Sequence, residues 1–100
     1  MKTIEDILSQ ENLTLKEIIL FGSRARGDFD PKSDYDILII IKKTIPISEK
    51  IRISEIMNSY LVEHLIPSDI IIKSIDEVEY YKNKIGHVVR EALKEGVVIR

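Results

Sequence analysis

Five consecutive aliphatic residues, Ile37-Leu38-Ile39-Ile40-Ile41, follow directly on Asp34-Tyr35-Asp36. A strand with one wet face alternates apolar and polar residues, so a run that is apolar on both parities predicts a central strand covered on both faces. A chain holding such a strand must place other elements above and below it. Glu17-Ile18-Ile19-Leu20-Phe21 is a second strand candidate, short and β-branched, ending abruptly at Gly22-Ser23. After Pro67, Ser68-Asp69 opens a third, Ile70-Ile71-Ile72, and Val97-Val98-Ile99 reads as a last edge strand.

Helical periodicity fills the intervals. Thr3 can cap a short helix with Ile4, Ile7 and Leu8 on one face, and Asn12 can stop it. RARGDFDPKS reads as a short helical turn followed by a loop. Ser48 can cap a longer helix in which Ile53, Ile56, Met57, Tyr60 and Leu61 form an apolar stripe. From Asp76 to Glu95 the pattern is helical again. Ile85, Val88, Val89, Ala92 and Leu93 share its face, Gly96 serves as a C′ residue, and Gly86 is a point where the segment can divide. The expected class is α/β (α+β), a small mixed sheet flanked by helices. With 100 residues and no repeat, low-complexity tract or linker, residues 1–100 are read as a single domain.

Composition narrows the function. A net charge of −2 gives no global attraction to nucleic acid, so direct stable binding to DNA or RNA is not expected. The absence of cysteine excludes disulfides, zinc-thiolate sites and thiol catalysis together, leaving oxygen or imidazole as metal ligands. No apolar stretch reaches the length of a membrane span, and MKTIEDILSQ has no apolar signal core, so the expected setting is cytoplasmic, away from membranes. A domain this small has little room for a separate substrate-binding domain, so a large substrate is expected to be recognised with a partner's help.

The chemistry lies in FGSRARGDFDPKSDYDILI. Asp34 and Asp36 stand two apart at the head of a strand, so both side chains leave the same face, roughly 7 Å apart along the backbone. Carboxylates held that way repel unless something positive sits between them, and Mg²⁺ favours one or two carboxylates completed by phosphate oxygens and water. Asp69 can project a third carboxylate to the same rim, and three suit a two-metal site that stabilises both attacking and leaving oxygens. Gly22-Ser23, where a strand turns into a short helix, can cradle phosphate with its backbone N–H groups and the Ser23 hydroxyl. Arg24 and Arg26 place cationic forks beside that cradle. No GxxxxGK[ST] occurs, so this is not a Walker loop.

Gly22-Ser23, ten residues, then Asp34-Tyr35-Asp36 resembles the GSx10DxD signature of the minimal nucleotidyltransferases (MNT), the smallest branch of the DNA polymerase beta superfamily. The resemblance extends over nearly the whole chain, including the apolar strand before Gly-Ser and the third acidic strand. It implies a nucleotidyltransferase fold in which Asp34 and Asp36 ligate two Mg²⁺ ions and Gly22 and Ser23 bind the nucleotide phosphates. Asp69 would be the third carboxylate, a ligand of the catalytic ion and a base for the acceptor hydroxyl. It further implies a partner, a HEPN-domain RNase toxin, held in a hetero-oligomer. The MNT member is then the antitoxin of a toxin–antitoxin pair, transferring AMP from ATP to a tyrosine of the toxin.

Two other functions stand beside that one. The fold can neutralise a HEPN partner by contact alone, although a dead site need not retain Gly22, Ser23, Asp34 and Asp36 together. It can also be a small-molecule nucleotidyltransferase subunit, whose hallmark helical C-terminal domain the sequence lacks. Several residues read more simply as packing or surface: His64, His87, Tyr80-Tyr81, and the acidic pairs Glu77/Glu79 and Glu91/Glu95, taken as solvated helix faces. A calcium loop in DFDPKSDYD fails, because its sixth and twelfth places hold Ser33 and Ile39 where Gly and Glu are needed.

Overall fold

The computed structural model describes residues 2–28 and 30–100; Phe29, in the expected loop, lies outside the described residues. The elements run α1 (Lys2–Gln10), β1 (Leu15–Phe21), α2 (Gly22–Arg26), β2 (Tyr35–Ile41), α3 (Ile47–Glu63), β3 (Ser68–Ser74), α4 (Ile75–Tyr81), α5 (Val88–Glu95) and β4 (Val97–Val98). The strands form one sheet in the order β3-β2-β1-β4. β1 pairs antiparallel with β2 and β4, whereas β2 pairs parallel with β3, so the sheet is mixed, as expected. A parallel pair needs a long crossover, and α3 supplies it.

β2 is buried over its last five residues, and parity sorts them between two cores. Ile37, Ile39 and Ile41 join Ile18, Ile70 and Ile72 on the face covered by α1 and α3, against Ile4, Leu8, Ile53, Met57 and Leu61. Leu38 and Ile40 point the other way, joining Ile19, Phe21 and Ala92 under α4 and α5. Truncating Ile39, which is fully buried, to Ala would cost about 2–5 kcal/mol.

Several expected caps fall elsewhere. α1 begins at Lys2, so Thr3 lies inside it, while Asn12 takes a left-handed φ of 59° just past its end, as a stop residue does. α3 begins after Pro46, which caps it without a side-chain bond, and Ser48 lies within its first turn. Pro46 arrives in the extended region (φ −60°, ψ 151°), and its carbonyl accepts from the N–H groups of Glu49 and Lys50 at 3.1 Å each. Of the expected stripe, Ile53, Met57 and Leu61 are buried but Ile56 and Tyr60 are not, because the sheet meets a single row of residues four apart. Tyr60 stacks on His64 instead, at 4.2 Å.

The segment expected as one helix from Asp76 to Glu95 divides into α4 and α5, with Gly86 at φ 81° between them. Val89 and Ala92 are buried; Ile85 is exposed in the connection. His87 caps α5, its Nδ1 accepting from the Val89 N–H, and stacks on Tyr81. Gly96 is extended (φ −77°, ψ 163°), so its role is not the left-handed C′ turn expected. A Cβ there would overlap the Ala92 carbonyl oxygen and the Ile19 side chain, so Gly96 permits close packing of α5 on β1.

Glu77 is likewise no solvated carboxylate. It completes a capping box with Ser74 and forms an ion pair with the ammonium of Lys50, which is buried on α3. This pair ties the helices on opposite faces of the sheet together. Burial pushes the Glu77 carboxyl up, but the Lys50 hydrogen bond, the Ser74 N–H and the charges of Lys50 and Lys73 outweigh it and hold the group below its ordinary value. Among the described residues no helix is long and apolar enough to cross a membrane.

Candidate active site

Three strands bring the candidate residues to one end of the sheet. Phe21, the last residue of β1, faces Asp36 of β2, and Asp36 faces Asp69 of β3. Residues opposite one another share a face, and two-residue periodicity puts Asp36 on the same side as Leu38 and Ile40, toward α4 and α5. Asp34 lies just before β2 begins, near enough for its charge to act on Asp36. The three carboxylates therefore gather at one rim, with Asp34 and Asp69 exposed and Asp36 half-buried.

Electrostatics registers the crowding. Burial pushes the Asp36 carboxyl above its ordinary value, and the neighbouring charges of Asp69 and then Asp34 push it further; Arg26 acts in the opposite sense. Arg26 itself hydrogen-bonds Glu95 at the end of α5 (2.9 Å) and Asp28 (3.3 Å). Glu95, read from the sequence as part of a solvated helix face, is instead paired with Arg26. Only the antiparallel return of β4 along β1 brings the end of α5 to this rim, and no local pattern announces that.

The loop between α2 and β2 is fastened by Arg24. Its guanidinium donates to the carbonyls of Ser33 (3.0 and 3.2 Å) and Pro31 (3.1 Å), and lies over the Tyr35 ring at 4.3 Å. The two arginines thus sit differently: Arg24 holds the loop that leads into Asp34, while Arg26 faces the carboxylates. Gly27, at φ 85°, ends α2 with its N–H on the Ser23 carbonyl. Gly22 has φ 71°, and its Cα lies against Asp36, so that a Cβ would overlap Asp36 Oδ2. Glycine is thus required where Asp36 packs against the turn.

Oxygen donors are what Mg²⁺ takes, and it commonly keeps water and phosphate oxygens beside one or two carboxylates. Among the described residues no group of three or more His, Asp or Glu side chains is arranged to hold a metal ion by itself. An open row of carboxylates, one of them raised by burial and then by its neighbours, fits an ion shared with a nucleotide. A cleft of about 430 Å³ lies at the other end of β1, around Glu5, Leu13 and Arg100, away from this rim.

Comparison with known proteins agrees with this geometry. The nucleotidyltransferase domain family matches residues 1–99, and the chain belongs to that family: it is a nucleotidyltransferase. A Methanocaldococcus jannaschii protein, "Putative protein adenylyltransferase MJ0141", is 41% identical over 87 residues, covering 80% of this chain and 85% of its own length. A second from the same organism, "Putative protein adenylyltransferase MJ0604", is 65% identical over 26 residues, 26% of each chain. Among solved structures, "the toxin-antitoxin with AMP-PNP" superposes with a TM-score of 0.63 at 19% identity, over 97% of this chain and 69% of that one. At that identity the likeness establishes the fold.

Proposed function

We propose that this nucleotidyltransferase is a protein adenylyltransferase, transferring AMP from ATP to a tyrosine of a HEPN-domain RNase toxin and serving as its antitoxin. The observation that carries the reading is the register Phe21–Asp36–Asp69, which brings the Gly-Ser turn, Asp36 and Asp69 to one rim of the sheet, with Asp34 two residues before Asp36. The 41% identical relative named for protein adenylylation supports the acceptor class. The toxin–antitoxin structure of the same fold supports the partner.

In this reading residues 1–100 act as one catalytic unit in the cytoplasm. Asp34, Asp36 and Asp69 would hold two Mg²⁺ ions, which would offset negative charge on the triphosphate and the transferring phosphoryl group. Gly22 and Ser23 hold the phosphates through backbone N–H groups and the Ser23 hydroxyl, and Arg26 supplies a cation beside them. Arg24 acts one step back, holding the Pro31 and Ser33 carbonyls and hence Asp34 in place. Asp69 takes the proton from the tyrosine hydroxyl. The tyrosine oxygen bonds to the α-phosphorus of ATP, the bond to the β-phosphate oxygen breaks, and pyrophosphate leaves.

A bulky anionic group on a tyrosine beside the toxin's RNase site would exclude RNA by charge and by volume. Neutralisation then outlasts separation of the two proteins. The test treats the HEPN protein encoded in the neighbouring reading frame with this protein, ATP and Mg²⁺, removes this protein, and measures RNA cleavage beside intact mass. Persistent inhibition with added AMP is expected. Full recovery of cleavage with unchanged mass would replace the reading with neutralisation by contact.

A further inference from the structure

β3 ends the sheet on one side, seven residues long and free of proline, and among the described residues no strand pairs with its outer side. The Tyr35 N–H donates to the Pro67 carbonyl at 2.9 Å, and Tyr35 faces Ser68 in the register. A parallel ladder begun this way turns the backbone groups of Asp69, Ile71 and Lys73 toward β2 and those of Ile70 and Ile72 outward. A long apolar edge with outward N–H and C=O groups is a template for another strand.

The edge is complementary to itself. In an antiparallel pair centred on Ile71, Ile70 faces Ile72 and Asp69 faces Lys73, while Ser74, buried with its N–H on Glu77, ends the free edge. That register makes Ile70–Ile72 the hydrogen-bonded pairs, which their outward groups require, and Ile71–Ile71 the non-hydrogen-bonded pair. A slip of one residue sets outward groups against inward ones, and a slip of two removes the Asp69–Lys73 match. Beside the edge, Ile47 and Ile51 of α3 are 67% and 52% exposed and frame, with Ile70 and Ile72, a groove of about 170 Å³.

We propose that the protein forms a twofold homodimer by antiparallel pairing of β3 with β3 of a second copy. Charge complementarity selects the occupant: each Lys73 is set opposite Asp69 of the other copy, and such cross-strand opposite charges stabilise a pair. Asp69 and Lys73 share the sheet face that carries Asp36, so an ammonium enters each acidic rim from across the interface. Two four-stranded sheets become one of eight, and the two Asp69 residues stand about 14 Å apart along the strands. The assembly is independent of the acceptor that the site serves.

The test is sedimentation of the full chain together with cysteine cross-linking, which the absence of native cysteine makes clean. The native protein should sediment at twice its 11.6 kDa chain mass. Ile71→Cys should oxidise to a covalent dimer, because Cα atoms about 4.5 Å apart in a non-hydrogen-bonded pair suit a disulfide, while Lys73→Cys should not. Lys73→Asp should give monomer, and Asp69→Lys with Lys73→Asp should restore the dimer. A monomeric native protein, equal cross-linking of the two cysteine variants, or failure of the charge swap to restore the dimer would each overturn the proposal.

Discussion

The carboxylate of Asp36 occupies the space that a side chain on Gly22 would need. A Cβ built on Gly22 overlaps Oδ2 of Asp36 and comes within 3.1 Å of its Cγ. The turn that ends β1 and the carboxylate at the head of β2 are therefore built against each other. Gly22→Ala is expected to cost about 1–2 kcal/mol for a left-handed alanine and about 1–3 kcal/mol for the overlap. Asp36→Ala in the same chain should recover the second part and not the first, which a double-mutant cycle on denaturation midpoints reads directly.

Asp36 also governs the response to pH and metal. Its folded pKa is raised by burial and by Asp69 and Asp34, so its favourable share of stability is full below the ordinary value of 3.8 and is lost as pH rises through the raised one. Asp36→Asn escapes that loss. In the absence of metal the variant should have the higher Tm at neutral pH, with the difference closing below about pH 4. Adding Mg²⁺ with ATP should raise the Tm of the native protein more than that of the variant.

Glu77 has the opposite sign. Because its folded pKa is lowered by Lys50 and Ser74 against the effect of burial, its stabilisation is present above the ordinary value of 4.5 and is lost as pH falls through the lowered one. Glu77→Gln keeps the cap but removes the charge beside buried Lys50, and should cost about 1.5–3 kcal/mol at pH 7. Denaturation at successive pH values should show the gap between variant and native protein narrowing below pH 4.5.

The two arginines should separate by phenotype. Arg24→Ala releases the Ser33 and Pro31 carbonyls and the Tyr35 ring, so it should lower Tm as well as transfer. Arg24→Lys should not rescue it, since an ammonium cannot reproduce the fork and the stacking. Arg26→Ala should leave Tm nearly unchanged and weaken ATP binding, with a loss that shrinks as salt screens the exposed charge. Calorimetry of ATP binding at two ionic strengths checks both.

What the sequence made legible was local. Ile37 to Ile41 announced the central strand because apolar residues on both parities have no other use, and the two-residue repeat put Asp36 on the face opposite Ile37, although β2 begins at Tyr35 and leaves Asp34 just before it. The pairing of Asp36 with Asp69 depends on how far the α3 crossover carries the chain, and Asp69 was reached only through its place at a strand start. Thr3 and Ser48 carry the right chemistry for caps but sit inside their helices, since Pro46 already fixes the entry to α3. Lys50–Glu77 and Arg26–Glu95 join residues 27 and 69 positions apart, and periodicity is blind at that range. Nor does spacing within a five-residue helix reveal that Arg24 turns to the loop and Arg26 to the carboxylates.

The most direct measurement supplies ATP labelled in turn at the α- and γ-phosphates, with Mg²⁺ and the HEPN protein as acceptor. α-Label should become covalently attached to a tyrosine, γ-label should leave as pyrophosphate, and Asp36→Asn should abolish both. Covalent γ-label, or α-label transferred undiminished by Asp36→Asn, would contradict adenylyl transfer at this site.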